Sequence, residues 1–185
     1  IEHGLGVTPS MIIIKCLDAA SDWKLWHSAL VPGAGESFGS LELNNNNEVA
    51  EDIFTQLPTA TQVFLNDNAA VNDENDTPYI MYLFAEKKGH AASGLFTPSA
   101  SVDVELLCGF KPRLLLSTLF DASGTVSADE KDWYLSYQMA GVNKWVRPNS
   151  STAENTGGTG MNGLQFGQSS IVLPKDSLTD GFSNV

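Results

Sequence analysis

Gly6-Val7-Thr8-Pro9-Ser10-Met11-Ile12-Ile13-Ile14 has a counterpart later in the chain, Gly109-Phe110-Lys111-Pro112-Arg113-Leu114-Leu115-Leu116-Ser117, displaced by 103 residues. In both, Gly-x-x-Pro sets a turn, because proline fixes φ and offers no N–H, and an apolar strand follows at once. The correspondence continues outward. Asp22-Trp23-Lys24-Leu25-Trp26-His27 aligns with Asp132-Trp133-Tyr134-Leu135-Ser136-Tyr137, displaced by 110 residues. Ser40-Leu41-Glu42-Leu43-Asn44-Asn45 then aligns with Lys144-Trp145-Val146-Arg147-Pro148-Asn149, and Ala50-Glu51 with Ala153-Glu154. A self-similar pattern of this length marks an internal duplication, with the changes in spacing falling in loops.

The repeated element is built of strands. Residues 11–16, 23–27, 40–43, 62–65, 79–84, 102–107, 113–117, 133–137, 144–147 and 163–166 are short, β-branched or aromatic, and bounded by Gly, Pro, Asn or Asp. Leu41-Glu42-Leu43 and Val102-Asp103-Val104-Glu105-Leu106 alternate with period two, which gives a sheet one wet face. Only residues 48–56 offer a short helical turn. The expected fold is all-β: an antiparallel β-sandwich with jelly-roll-like crossing connections, built from two similar halves. The halves are placed at 1–98 and 99–185, as one sandwich or two closely packed ones. The first half ends in Tyr79-Ile80-Met81-Tyr82-Leu83-Phe84, and no such strand follows in the second half. The second half is therefore expected to be cut short, with a matching strand encoded beyond Val185. Without that strand it leaves a sheet edge open or receives a strand from elsewhere.

With 185 residues, 42% of them hydrophobic, the chain has material for a buried core. Its net charge of -12 repels nucleic acid and anionic lipid, so neither is an expected partner. The same acidic surface suits salty water, where its charges are screened. No stretch approaches the roughly 18 apolar residues that span a bilayer, so membrane insertion is not expected. The opening residues carry no basic start or apolar run of a signal peptide. Cys16 and Cys108 sit in apolar strands and read as free, buried thiols rather than a disulfide or a zinc site.

Candidate chemistry is sparse. Gly35-Glu36-Ser37-Phe38-Gly39 spells a nucleophile elbow, yet turn residues precede Ser37 and an alternating strand follows it. An elbow needs a buried strand before the serine and a helix after it, so Ser37 reads as a loop residue. His3, His27 and His90 lack partners at metal-ligand spacing and read as structural or solvated. In the acidic loop 66–76, Asp67, Asp73 and Asp76 are weak calcium candidates inside a solvated hairpin loop; the EF-hand pattern is missing. Trp26, Trp145 and Tyr137 are candidates for stacking on sugar rings, against the alternative that they are core. No cofactor is expected.

His3-Gly4-Leu5-Gly6-Val7-Thr8-Pro9-Ser10-Met11-Ile12-Ile13-Ile14-Lys15, Asp22-Trp23 with Trp26-His27-Ser28-Ala29-Leu30, and Tyr79-Ile80-Met81-Tyr82-Leu83-Phe84-Ala85-Glu86 together resemble a domain of unknown function common in bacteriophage virion proteins, especially tail-fibre-like proteins of marine phages. Gly109-Phe110-Lys111-Pro112 and Pro148-Asn149-Ser150-Ser151-Thr152-Ala153-Glu154 extend the resemblance into the second half. Such domains usually carry Tyr where Trp26 stands, and a shorter loop where Val31-Pro32-Gly33-Ala34-Gly35-Glu36 is inserted. The resemblance implies a virion location and a structural, non-enzymatic role in decoration, a tail or a fibre, with a part in host attachment. The implied partners are other virion proteins, further copies of the chain in a homo-oligomer such as a trimer, and a host-surface glycan. The competing expectation is a secreted, lectin-like carbohydrate-binding module; a hydrolase built on Ser37 comes third.

Overall fold

The computed structural model describes residues 1–30, 39–45, 53–73, 76–97, 99, 101–118, 132–151, 153–154 and 163–175. Apart from one turn of 3-10 helix at Ser28–Leu30, the regular elements among the described residues are strands in antiparallel sheets, as the sequence predicts. The helical turn expected at 48–56 is not seen where the structure describes that stretch: Phe54–Gln56 is extended. The chain divides into two compact units, Ile1–Glu86 and Lys87–Val185, earlier than the 98/99 division drawn from the sequence.

In the first unit, β1 (Met11–Cys16), β2 (Lys24–His27), β3 (Leu41–Glu42) and β6 (Tyr79–Phe84) form a sheet of order β3-β2-β1-β6. A second layer is the hairpin of β4 (Phe54–Gln56) and β5 (Phe64–Leu65). Period-two alternation sends Ile12, Ile14 and Trp26 to one face of the sheet, where they meet Ile53, Phe54, Val63 and Val71 in a buried cluster. Residues at the start of the chain extend the second layer: the Val63 amide donates to the Ile1 carbonyl (2.9 Å) and the His3 amide to that of Thr61 (2.8 Å).

The second unit repeats this plan. Strands β8 (Leu114–Ser117), β9 (Tyr134–Met139) and β10 (Val142–Val146) form one sheet, in order β10-β9-β8. The other layer is β7 (Val104–Leu107), β11 (Gln165–Phe166) and β12 (Ser170–Leu173), in order β11-β12-β7. Tyr134, Trp145, Leu164, Ile171 and Leu173 are buried between them. Each unit thus has two antiparallel layers over its own core, a small β-sandwich. Crossing connections join strands distant in sequence, β1 to β6 and β7 to β12.

Gly6 and Gly109 share left-handed φ values of 75° and 72°, which explains the glycine at the head of each Gly-x-x-Pro turn. Ile14 faces Lys24 and Ile12 faces Trp26; Ser117 faces Tyr134 and Leu115 faces Ser136. Those pairs carry the 103- and 110-residue displacements read from the sequence. The third strand corrects the sequence alignment by one residue. Lys24 faces Glu42 and Leu25 faces Leu41, while Leu135 faces Val146, so Leu41 corresponds to Val146 and not to Trp145.

Candidate functional site

The one-residue correction brings a duplicated side-chain latch into view. The Trp23 amide donates to Asn44 Oδ1 (2.7 Å), and Asn44 Nδ2 donates to Asp22 Oδ1 (2.8 Å). In the second unit the Trp133 amide donates to Asn149 Oδ1 (3.0 Å), and Asn149 Nδ2 donates to Asp132 Oδ1 (2.8 Å). One asparagine side chain closes the mouth of the strand pair at equivalent places, using its acceptor and a donor at once. Sequence alignment set Asn45, not Asn44, against Asn149. The shared Asp-Trp and the asparagine after the third strand were the available signals.

The same correction explains the tryptophans. Continuing the β2–β3 register by one residue sets Ser40 opposite Trp26, and in the second unit Trp145 faces Ser136. Each unit has one indole and one serine at this pair of sites, but the indole has changed strand. Volume is conserved while sequence identity is lost. Trp26 is 1% exposed and packs edge-on to Phe54, with ring centroids 5.3 Å apart; Trp145 is 4% exposed and lies 5.6 Å from Tyr134. Neither indole has a free face for a sugar, so the stacking role expected of Trp26 and Trp145 gives way to a core role. An accessible aromatic pair that the sequence did not single out is Trp23 and Tyr82, stacked at 6.5 Å.

Tyr137 remains part-exposed. Its hydroxyl donates to Glu154 Oε2, and Lys144 Nζ donates to Glu154 Oε1 at 2.5 Å. The lysine, and then the tyrosine, hold the Glu154 carboxyl below its ordinary range, while Glu154 pushes both Tyr137 and Lys144 upward. This cluster cross-links β9, β10 and the segment after them. Its carboxylate is already engaged by two donors, which suits bracing better than proton transfer.

Charged groups elsewhere also join strands. Lys24 and Glu42 form a buried ion pair at 2.5 Å across β2 and β3, with Asn45 Nδ2 donating to the other carboxylate oxygen. At the corresponding strand positions the second unit has Tyr134 and Arg147. There the guanidinium lies 5.6 Å from the Tyr134 ring and 5.5 Å from the Trp145 ring, and pairs with Asp132 at 2.9 Å. Burial pushes the Tyr134 hydroxyl's pKa up against the opposing pull of Arg147.

Asp67, Asp73 and Asp76 lie in the loop between β5 and β6. Asn68 organises it, accepting the Ala70 amide on Oδ1 (2.9 Å) and the Asn72 amide on its carbonyl (2.7 Å). Thr77 Oγ1 donates to Asp73 (3.4 Å), and Asp76 takes a left-handed φ of 55°. Among the described residues, no three His, Cys, Asp or Glu side chains come together as a metal set. His3 and His27 each accept a nearby backbone amide on Nδ1, from Leu5 (3.3 Å) and Ala29 (3.1 Å). Cys16 and Cys108 are free. Ser37 lies outside the described residues. Among those residues no helix is long and apolar enough to cross a membrane.

Fold and bracing together define a duplicated antiparallel β-sandwich protein. The chain belongs to the family described as a domain of unknown function, DUF7483, which it matches over residues 1–171. No curated protein and no solved structure matches it.

Proposed function

We propose that this chain is a non-enzymatic structural domain of a bacteriophage virion, part of a decoration, tail or fibre, with a contribution to host attachment. The observation that carries this reading is the use of its chemistry-bearing side chains. Asp22, Asp132, Lys24, Glu42, Arg147, Lys144 and Glu154 tie strand to strand or hold a strand's end, as a load-carrying module requires. The phage context rests on the resemblance of the His3–Lys15, Asp22–Leu30 and Tyr79–Glu86 stretches to virion domains. Its partners are other virion proteins and further copies of itself, in a symmetric oligomer such as a trimer.

An antibody to the folded domain, applied to particles purified from a lysate that contains this chain, tests the reading. Immunogold electron microscopy is expected to label the particle surface at fixed places. Recovery of the chain only as free protein, with unlabelled particles, would overturn it. Of the three aromatics the carbohydrate-binding alternative named, Tyr137 alone stays part-exposed, and that reading predicts glycan-array binding that Tyr137→Ala abolishes.

A further inference from the structure

The two main sheets differ at one edge. In the first unit β1 is interior, flanked by β2 and by β6. In the second unit β8 ends the sheet, and among the described residues no strand pairs with its outer side. The peptide groups concerned can be named. Leu17 donates to the Pro78 carbonyl (2.9 Å), so by antiparallel alternation Met11, Ile13 and Lys15 bond to β6. Gln138 donates to the Arg113 carbonyl (3.4 Å), so Leu115 and Ser117 bond to β9 and the peptide groups of Leu114 and Leu116 face the open edge. Leu114 and Leu116 correspond to Met11 and Ile13, the positions that β6 engages. Burial differs accordingly: Ile12 and Ile13 are 0% and 8% exposed, whereas Leu115 and Leu116 are half-buried and Leu114 is 59% exposed.

We propose that the outer edge of β8 is a strand-acceptor site for one extended partner segment of β6's alternating apolar chemistry, paired antiparallel. The Tyr-Ile-Met-Tyr-Leu-Phe pattern of residues 79–84 has no second copy in residues 109–185, and among the described residues the second repeat shows the receiving strand without a counterpart of β6. The occupant sets its alternate peptide groups against Leu114 and Leu116, in the register that Phe84 and Tyr82 hold on Met11 and Ile13. Main-chain bonds supply the affinity, and the alternating apolar side chains supply the fit over the second core. Pro112, just ahead of the strand, has no N–H to offer and marks where the site begins.

The probe is a synthetic peptide of residues 78–86 with a solubilising lysine tail, added to the whole chain, with hydrogen exchange followed amide by amide. Exchange at Leu114 and Leu116 is expected to slow by about ten-fold or more, with Leu115 and Ser117 changing little. The same peptide N-methylated at Tyr82 and Phe84 keeps its side chains, loses the donors facing β8, and is expected to give no protection. Absence of protection by the unmodified peptide, or equal protection by the methylated one, would overturn the proposal. So would concentration-dependent protection of the same two amides without peptide, since a second copy would then be the occupant.

Discussion

Lys24 and Glu42 show what a single pair of residues does at the mouth of a strand pair. Both are buried, and taking charges out of water is tolerable only while they face each other. Lys24→Ala is therefore expected to cost about 3–5 kcal/mol in denaturant unfolding, because the Glu42 carboxylate loses its cation. The double change Lys24→Met, Glu42→Leu should recover most of that loss; a double variant as unstable as the single one would contradict this account. His27 acts through protonation. Burial lowers its pKa from the usual 6.5, against an opposing pull from Glu86, and its Nδ1 accepts a hydrogen bond that an imidazolium could not. An unfolded chain takes up that proton at the ordinary value while the folded chain resists, so stability is present above pH 6.5 and declines as pH falls below 6.5 toward the lowered folded value. The unfolding midpoint should drop with acidification over that window, and His27→Gln should flatten the drop. Ser136 is the opposite case: its buried hydroxyl has no hydrogen-bond partner among the described residues. Ser136→Ala should leave stability within about 1 kcal/mol of the parent or raise it.

At the scale of elements, the asparagine latch is the recurring device. Asn44→Ala and Asn149→Ala each remove an acceptor for a tryptophan amide and a donor to an aspartate, and each should cost about 1–2 kcal/mol. Similar losses from the two changes, measured by urea titration, would bear out their equivalence; one neutral variant would not. The sheets and the first two strands of each repeat were legible in the sequence, because Gly-x-x-Pro and Asp-Trp fix both position and frame. The third strand was not. Two alternating residues accept either frame, a slip of one residue exchanges the faces, and the indole that would mark the frame sits on different strands in the two repeats. The expected use of Trp26 and Trp145 for sugar stacking failed for a related reason: alternation shows that a residue shares a face, and only the packing of a second layer shows which face is covered.

For the whole molecule, the duplication means two cores, one built on Trp26 with Phe54 and the other on Trp145 with Tyr134. Truncating a buried tryptophan to alanine costs about 3–5 kcal/mol, enough to empty a small core of most of its stability. The boundary between the two units lies just behind β6, because β6 returns to pair with β1 and closes the first sheet. Native-state hydrogen exchange on the full chain carrying Trp26→Ala or Trp145→Ala tests the two-core account most directly. Trp26→Ala is predicted to release the amides of β1, β2 and β6 while those of β8, β9 and β12 stay protected, and Trp145→Ala to do the reverse; equal loss of protection throughout the chain from either change would contradict it.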